Sequence, residues 1–142
     1  MSFRVENRVG VKAPSDRIWD IIADLPSWGD WNPTFPQAEG IIAIGGVLTL
    51  TETIEGLGER PVRAAINDWV PYAQLIWSER RGFQFTSTRY IEIEELAPGS
   101  CIVANGEIFG GMFGEGFFNK NKRLLRRACE EMGEALRLRA EA

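Results

Sequence analysis

Side chains that could move a proton or hold a metal are sparse in this sequence, and their pattern excludes more chemistry than it suggests. There is no histidine among the 142 residues. That removes the one side chain that titrates near neutrality unperturbed, the commonest metal ligand, and the base of Ser-His-Asp triads. Cys101 and Cys129 lie far apart, without metal-ligand spacing, and each sits where a small hydrophobe would serve, so both read as buried free thiols. The carboxylates form no dense ligand loop of the EF-hand kind. The run Gly110-Gly111-Met112-Phe113-Gly114-Glu115-Gly116 lacks the Gly-Lys-Ser/Thr ending and the strand-loop-helix setting of a phosphate loop, and it reads as a flexible joint. The sequence therefore predicts neither a metal nor a nucleotide cofactor. What remains for acid-base work is Glu107, Arg89, Tyr90 and Asp68, none of which has a partner at a fixed spacing.

Strand parity sorts these residues. In Phe83 to Glu95, the odd positions Phe83, Phe85, Ile91 and Ile93 make the apolar side and carry Ser87 and Arg89 with them, so Arg89 is expected to face inward. In the next strand Cys101, Val103, Asn105, Glu107 and Phe109 share one face, and Ile102, Ala104, Gly106 and Ile108 share the other. We expect the polar-bearing face inward. A hairpin centred on Pro98 sets Arg89 opposite Glu107, whereas a two-residue Pro98-Gly99 turn sets it opposite Ile108, and the sequence leaves both registers open. Inward charges at these positions are expected to orient a ligand, because a lone buried charge is too costly to leave unpaired. Asn105, Trp77 and Phe85 complete the candidate lining. Trp28, Trp31 and Phe35 lie where the chain can stand off a sheet, and Phe113 and Phe117 flank the opposite joint. These are the candidate entrance residues, set against simple packing.

The elements that must position these groups are legible in the hydrophobic periodicity. From Gly116 to Ala140, Phe118, Asn121, Leu125, Ala128, Met132 and Ala135 recur at steps of three and four, with charges on the opposite side, which predicts a long helix with one core face. Phe3 to Val11 alternates apolar and charged residues as a half-buried strand does. Ala13-Pro14-Ser15-Asp16 opens a short helix that ends near Leu25-Pro26, and Ser27-Trp28-Gly29-Asp30 reads as a further short helical turn. Strands are then expected near Phe35 to Glu39, Val47 to Glu55, Pro61 to Trp69, Ala73 to Arg80, Phe83 to Leu96 and Ser100 to Phe109. The connections are short, with turns that include Gly45-Gly46, Arg81-Gly82 and Pro98-Gly99, so neighbouring strands must be antiparallel.

Composition agrees with one globular α+β domain spanning residues 1–142: 44% hydrophobic and 25% charged, with no linker or repeat. The apolar runs are too short to span a bilayer and the N-terminus lacks the apolar core of a signal peptide, so a cytoplasmic location is expected. The net charge is −4, and the terminal helix is its basic part. Because those bases are interleaved with Glu130, Glu131 and Glu134, we expect a solvated outer face, with no nucleic-acid partner and no stable membrane insertion.

The run Ala13-Pro14-(x)4-Trp19-Asp20-(x)3-Asp24-(x)3-Trp28-(x)2-Trp31-Asn32-Pro33 resembles the N-terminal signature of START-like proteins of the polyketide cyclase/dehydrase and lipid-transport (SRPBCC) group. Further along, the hairpin Tyr90 to Glu107, Phe109-Gly110 and the helix ending Glu131 to Leu136 extend the resemblance over nearly the whole chain. It implies a helix-grip fold, with a curved six- to seven-stranded antiparallel sheet around the long C-terminal helix, two short helices after the first strand, and often a hydrophobic cavity. Many relatives carry a histidine in the last strand where this chain has Asn105 ahead of Glu107. That departure weakens a cyclase reading based on a histidine shuttle. The expected function is binding of a hydrophobic small molecule or lipid as a carrier or sensor. The alternatives are a cofactor-independent polyketide cyclase/dehydratase, with Arg89 polarising a carbonyl and Glu107 or Tyr90 moving a proton, and an interaction module with a vestigial cavity, which a filled core would favour.

Overall fold

The alternation of Val5, Asn7, Val9 and Val11 with charged neighbours produces the first strand, β1 (Arg4–Val11), in this computed structural model, which describes residues 3–142. Pro14 leads into α1 (Ser15–Ala23), whose Ile18, Trp19 and Ile22 are buried. A proline in its first turn then tightens the chain into a 3-10 helix over Leu25–Asp30. The strands β2 (Gln37–Gly40), β3 (Val47–Ile54), β4 (Gly58–Val70), β5 (Gln74–Gly82), β6 (Phe85–Ala97) and β7 (Ser100–Gly110) follow, and the chain closes with α2 (Met112–Glu141). The strands form one seven-stranded antiparallel sheet in the order β1-β7-β6-β5-β4-β3-β2. The first strand thus lies beside the last, and α2, about 45 Å long, packs against β1 and β7.

The expected stripe on α2 is its core face: Phe118, Leu125, Ala128, Cys129, Met132, Leu136 and Ala140 are buried. Burial is shared between two apolar clusters. One joins Met132, Leu136 and Ala140 to α1, the 3-10 helix and the middle strands. The other joins Phe118, Leu125, Ala128 and Cys129 to Val5, Ile54 and Phe109. The last turn of α2 is held from outside by Arg17, whose guanidinium donates to the carbonyls of Ala140 at 2.6 Å, Arg139 at 3.3 Å and Ala142 at 3.1 Å, acceptors that a helix end leaves free.

Three local departures from the sequence expectation bear on the site. The strand expected at Phe35 to Glu39 runs instead over Gln37–Gly40. Asn32 turns the chain first, its Oδ1 accepting the N–H groups of Thr34 at 3.0 Å and Phe35 at 2.9 Å, which drives the Phe35 ring into the core. The turn expected at Arg81-Gly82 falls at Phe83 and Gln84, with Gly82 paired to Phe85 across a bulge at Arg81. Finally, α2 begins at Met112 rather than beyond a flexible joint, because the Gln84 carbonyl accepts the N–H groups of Phe113 at 2.9 Å and Gly114 at 3.2 Å.

Candidate functional site

Inward-facing polar residues on five strands converge beneath the aromatic layer of the core. Arg89 on β6 and Glu107 on β7 are direct register partners, 4% and 1% exposed. Both hairpin possibilities contribute to that pairing. Ala97 pairs with Ser100 across a two-residue Pro98-Gly99 turn, and a bulge at Leu96 then shifts the ladder by one residue. The polar-bearing face of β7 is the inward one, with Cys101, Val103, Asn105, Glu107 and Phe109 all buried.

The charges continue along the sheet. Glu52 on β3 lies opposite Arg60 on β4, with Arg60 Nε 3.1 Å from Glu52 Oε1. Arg60 also grips Glu79 on β5 with both terminal nitrogens. Arg89 Nη2 is 3.3 Å from Glu107 Oε1 and 3.8 Å from Glu52 Oε2, and its guanidinium carbon sits 4.9 Å from the centre of the Phe35 ring. The two contacts of Arg89 with carboxylates are ion pairs without hydrogen-bond alignment. Among the described residues, Nε, Nη1 and Nη2 of Arg89 and Oε1 of Glu107 are buried without a hydrogen-bond partner.

Burial and charge act in opposition here. Burial pushes the Glu107 carboxyl above the ordinary carboxylate range, against the pull of Arg89 and with help from Glu52. For Arg89, burial works against the charge, yet Glu107 and Glu52 together hold the guanidinium above its usual pKa. Burial also raises the Cys129 thiol, again opposed by Arg89. The result is a firmly cationic Arg89 beside a carboxyl that retains its proton more readily than usual.

A void of about 10 Å³ lies at the centre, lined by Phe35, Glu52, Val62, Trp77, Glu79, Ser87, Arg89 and Glu107. It holds roughly one water. Phe35, Trp28 and Trp77 fill the space above it, with ring centres 6.0 to 6.1 Å apart. Where the fold resemblance implies a roomy cavity, this chain therefore has an aromatic plug over a water-sized pocket.

Of the sequence candidates, Arg89, Glu107, Trp77 and Phe35 meet in that pocket. Asn105 lies next along β7 and donates to the Cys129 carbonyl at 3.0 Å, tying strand to helix. Trp31 is half-buried against Trp28, while Trp28 and Phe35 are fully interior, part of the plug rather than an open mouth. Phe85 and Phe117 pack at a tilt against each other beneath the Arg81 guanidinium, 4.5 and 4.6 Å from the ring centres. Phe113 is exposed and pairs with Phe83, away from the pocket. Tyr90 projects from the other face of the sheet to Glu6, and Asp68 bonds Gln74, so neither reaches Glu107. Sequence reasoning missed Glu52, Arg60 and Glu79. Their parity with Leu50 and Ile54, Val62 and Ala64, and Leu75 and Trp77 carried the signal.

A model of the polyketide cyclase/dehydrase and lipid transport family matches residues 2–141. The chain belongs to that family. No curated protein matches it in sequence. Among solved structures it is similar to the Zhui aromatase/cyclase of a Streptomyces species, at 18% identity and TM-score 0.77 over 97% of this chain and 93% of that one. It is also similar to a START superfamily protein from Mycobacterium smegmatis, at 21% identity and TM-score 0.64, covering 94% and 98%. The di-domain aromatase/cyclase StfQ of the steffimycin pathway matches at 11% identity and TM-score 0.77, and there the chain spans 52% of the other's length. At these identities the likeness is one of fold, the START-like helix grip that family members share. Among the described residues no helix is long and apolar enough to cross a membrane.

Proposed function

We propose that the protein binds a hydrophobic small molecule whose polar oxygen docks on Arg89, as a carrier or sensor. The observation that supports this reading is the guanidinium itself, buried with Nε, Nη1 and Nη2 lacking hydrogen-bond acceptors. A buried charged donor left unmade costs more than the usual 1 to 3 kcal/mol of a neutral one, and a ligand carboxylate or carbonyl would satisfy it. Since ligand pockets are commonly about 300 Å³ or more, binding requires the plug to move. The element suited to do so is the segment from Trp31 to Phe35, held by the Asn32 turn and by a 2.7 Å bond from Thr53 N–H to the Thr34 carbonyl.

Two other readings have support. A cofactor-independent cyclase or dehydratase is favoured by Glu107, whose raised pKa beside Arg89 suits a proton donor to a carbonyl held by the guanidinium, and by the fold likeness to aromatase/cyclases. An interaction module with a vestigial cavity is favoured by the small void. Native mass spectrometry of freshly purified protein, followed by titration of the released compound into wild type, Arg89→Met and Glu107→Gln, separates them. We expect a co-purified compound bearing a carbonyl or carboxylate, bound roughly 10- to 100-fold more weakly by Arg89→Met. Turnover of aromatic precursors that is lost in Glu107→Gln would select the enzyme. Protein that carries no compound, and takes up none when challenged with hydrophobic acids, would sink the binding reading.

A further inference from the structure

Five of the chain's 16 Lys/Arg residues, and none of its 20 Asp/Glu residues, fall between Gly116 and Cys129, which leaves nine more acids than bases elsewhere. The five are Lys120, Lys122, Arg123, Arg126 and Arg127. All are exposed, and none lies within ion-pair distance of a carboxylate among the described residues. Interleaving with acids, the sequence argument for an inert outer face, begins only at Glu130. Beyond Glu115 in its first turn, α2 from Gly116 to Cys129 presents a cationic surface.

A second feature adjoins it. Met112, Phe113 and Phe83 are 66%, 54% and 73% exposed, and the two rings lie 6.4 Å apart. The bonds from Phe113 and Gly114 to the Gln84 carbonyl fix the start of α2 to the β5–β6 turn, so the three side chains form one held apolar tip. At 100° per residue, Met112, Phe113, Lys120, Arg123 and Arg127 project from the same side of the helix, with the cationic band beginning roughly 10 Å beyond the tip.

We infer that this end of the molecule docks on an anionic phospholipid surface, the apolar tip entering the headgroup–acyl boundary and the five cations meeting the phosphates. An apolar cap followed within about 10 Å by a belt of Lys and Arg matches the depth profile of a bilayer interface. Nucleic acid fits less well. The Phe83 and Phe113 rings are tilted 54° toward one another and offer no open platform on which bases would stack. The docking is peripheral and leaves the fold intact, since the core face of α2 stays on the sheet. It does not depend on the ligand reading, because no residue of the Arg89 pocket takes part.

Vesicle flotation tests it, with phosphatidylcholine alone against an equal mixture of phosphatidylcholine and phosphatidylglycerol. Wild type is expected to float with the anionic vesicles, to stay behind with the neutral ones, and to detach in high salt. The triple variant Lys120→Glu, Arg123→Glu, Arg127→Glu should lose roughly 100-fold in apparent affinity, and Phe83→Ser with Phe113→Ser roughly tenfold. Melting temperatures confirm that these exposed substitutions leave the fold intact. Absence of flotation, or equal flotation with both vesicle types, overturns the inference. So does tight, salt-sensitive binding of duplex DNA combined with vesicle binding that ignores the Phe83/Phe113 change, which would mark a general polyanion surface.

Discussion

At Glu107 a single carboxyl is both fully buried and faced by a cation, and its raised pKa makes folding pH-dependent. In the unfolded chain the group releases its proton near the ordinary carboxylate value; in the fold it holds the proton to higher pH. Between those two values the folded state binds more protons, so stability falls as pH rises through that window and then levels off. Glu107→Gln is expected to flatten that decline. Melting temperatures of wild type and variant, measured in steps from pH 4 upward, check it, and parallel curves would mean that Glu107 ionises as freely in the fold as outside it. Arg89 completes the argument. Removing one member of a buried pair strands the other, at about 3 to 5 kcal/mol, whereas replacing both is far milder. The double variant Arg89→Met with Glu107→Gln should therefore be more stable than the sum of the single changes predicts.

The elements were more legible than the site, for reasons that individual residues make plain. The long helix declares itself because its burial is one-sided, and the substitution Leu125→Asp should show how much depends on that. Leu125 is 1% exposed within the cluster with Val5, Ile54 and Phe109. A carboxylate there has no partner, and several kcal/mol of lost stability would consume most of a typical margin; circular dichroism melting that stays within a few degrees of wild type would contradict it. Strands β3 to β7 follow from alternation and turn residues, and parity turns Arg89 inward, but in β7 both faces are plausible by parity, and it is the burial of Asn105 and Glu107 that decides between them. What parity could not supply was register. The Leu96 bulge that brings Arg89 opposite Glu107 leaves no mark in the sequence, since an extra residue in a strand looks like any other. Nor could it supply the plug. The run of strands separated by glycine- and proline-bearing turns puts Phe35 at a strand start, but the Asn32 turn, a local hydrogen-bond choice, carries it into the core before the strand begins. Glu52, Arg60 and Glu79 were overlooked for a different cause: charged residues in half-buried strands are usually solvated, and only their meeting across three strands distinguishes them.

On the scale of the whole molecule, α2 joins two apolar clusters, and each cluster holds one thiol. Cys101 belongs to the cluster with α1 and the middle strands, Cys129 to the one with Phe118 and Leu125, and both are free and buried. If the helix makes the domain open as one unit, each thiol is exposed only by global unfolding. Single-cysteine variants, Cys101→Ala and Cys129→Ala, should then react with a thiol reagent at closely similar rates under native conditions, slowed in parallel as stability rises. Rates differing by more than roughly tenfold would show that one cluster opens without the other.

The pairing of β1 with β7 has a consequence for how the chain is made. A ribosome releases the strands in sequence order, at about 5 to 20 residues per second, and β1 waits through the whole meander for a neighbour that is synthesised second to last. Even then the part of the inner face on β1 and β7 has no cover until α2 has followed. The nascent chain therefore spends several seconds as a succession of hairpins with their apolar sides unshielded, and the domain can close only after translation of α2 is nearly done. Ribosome-bound chains halted just before Met112 should remain open to protease, whereas chains extended past Glu141 by a linker long enough to clear the exit tunnel should resist it.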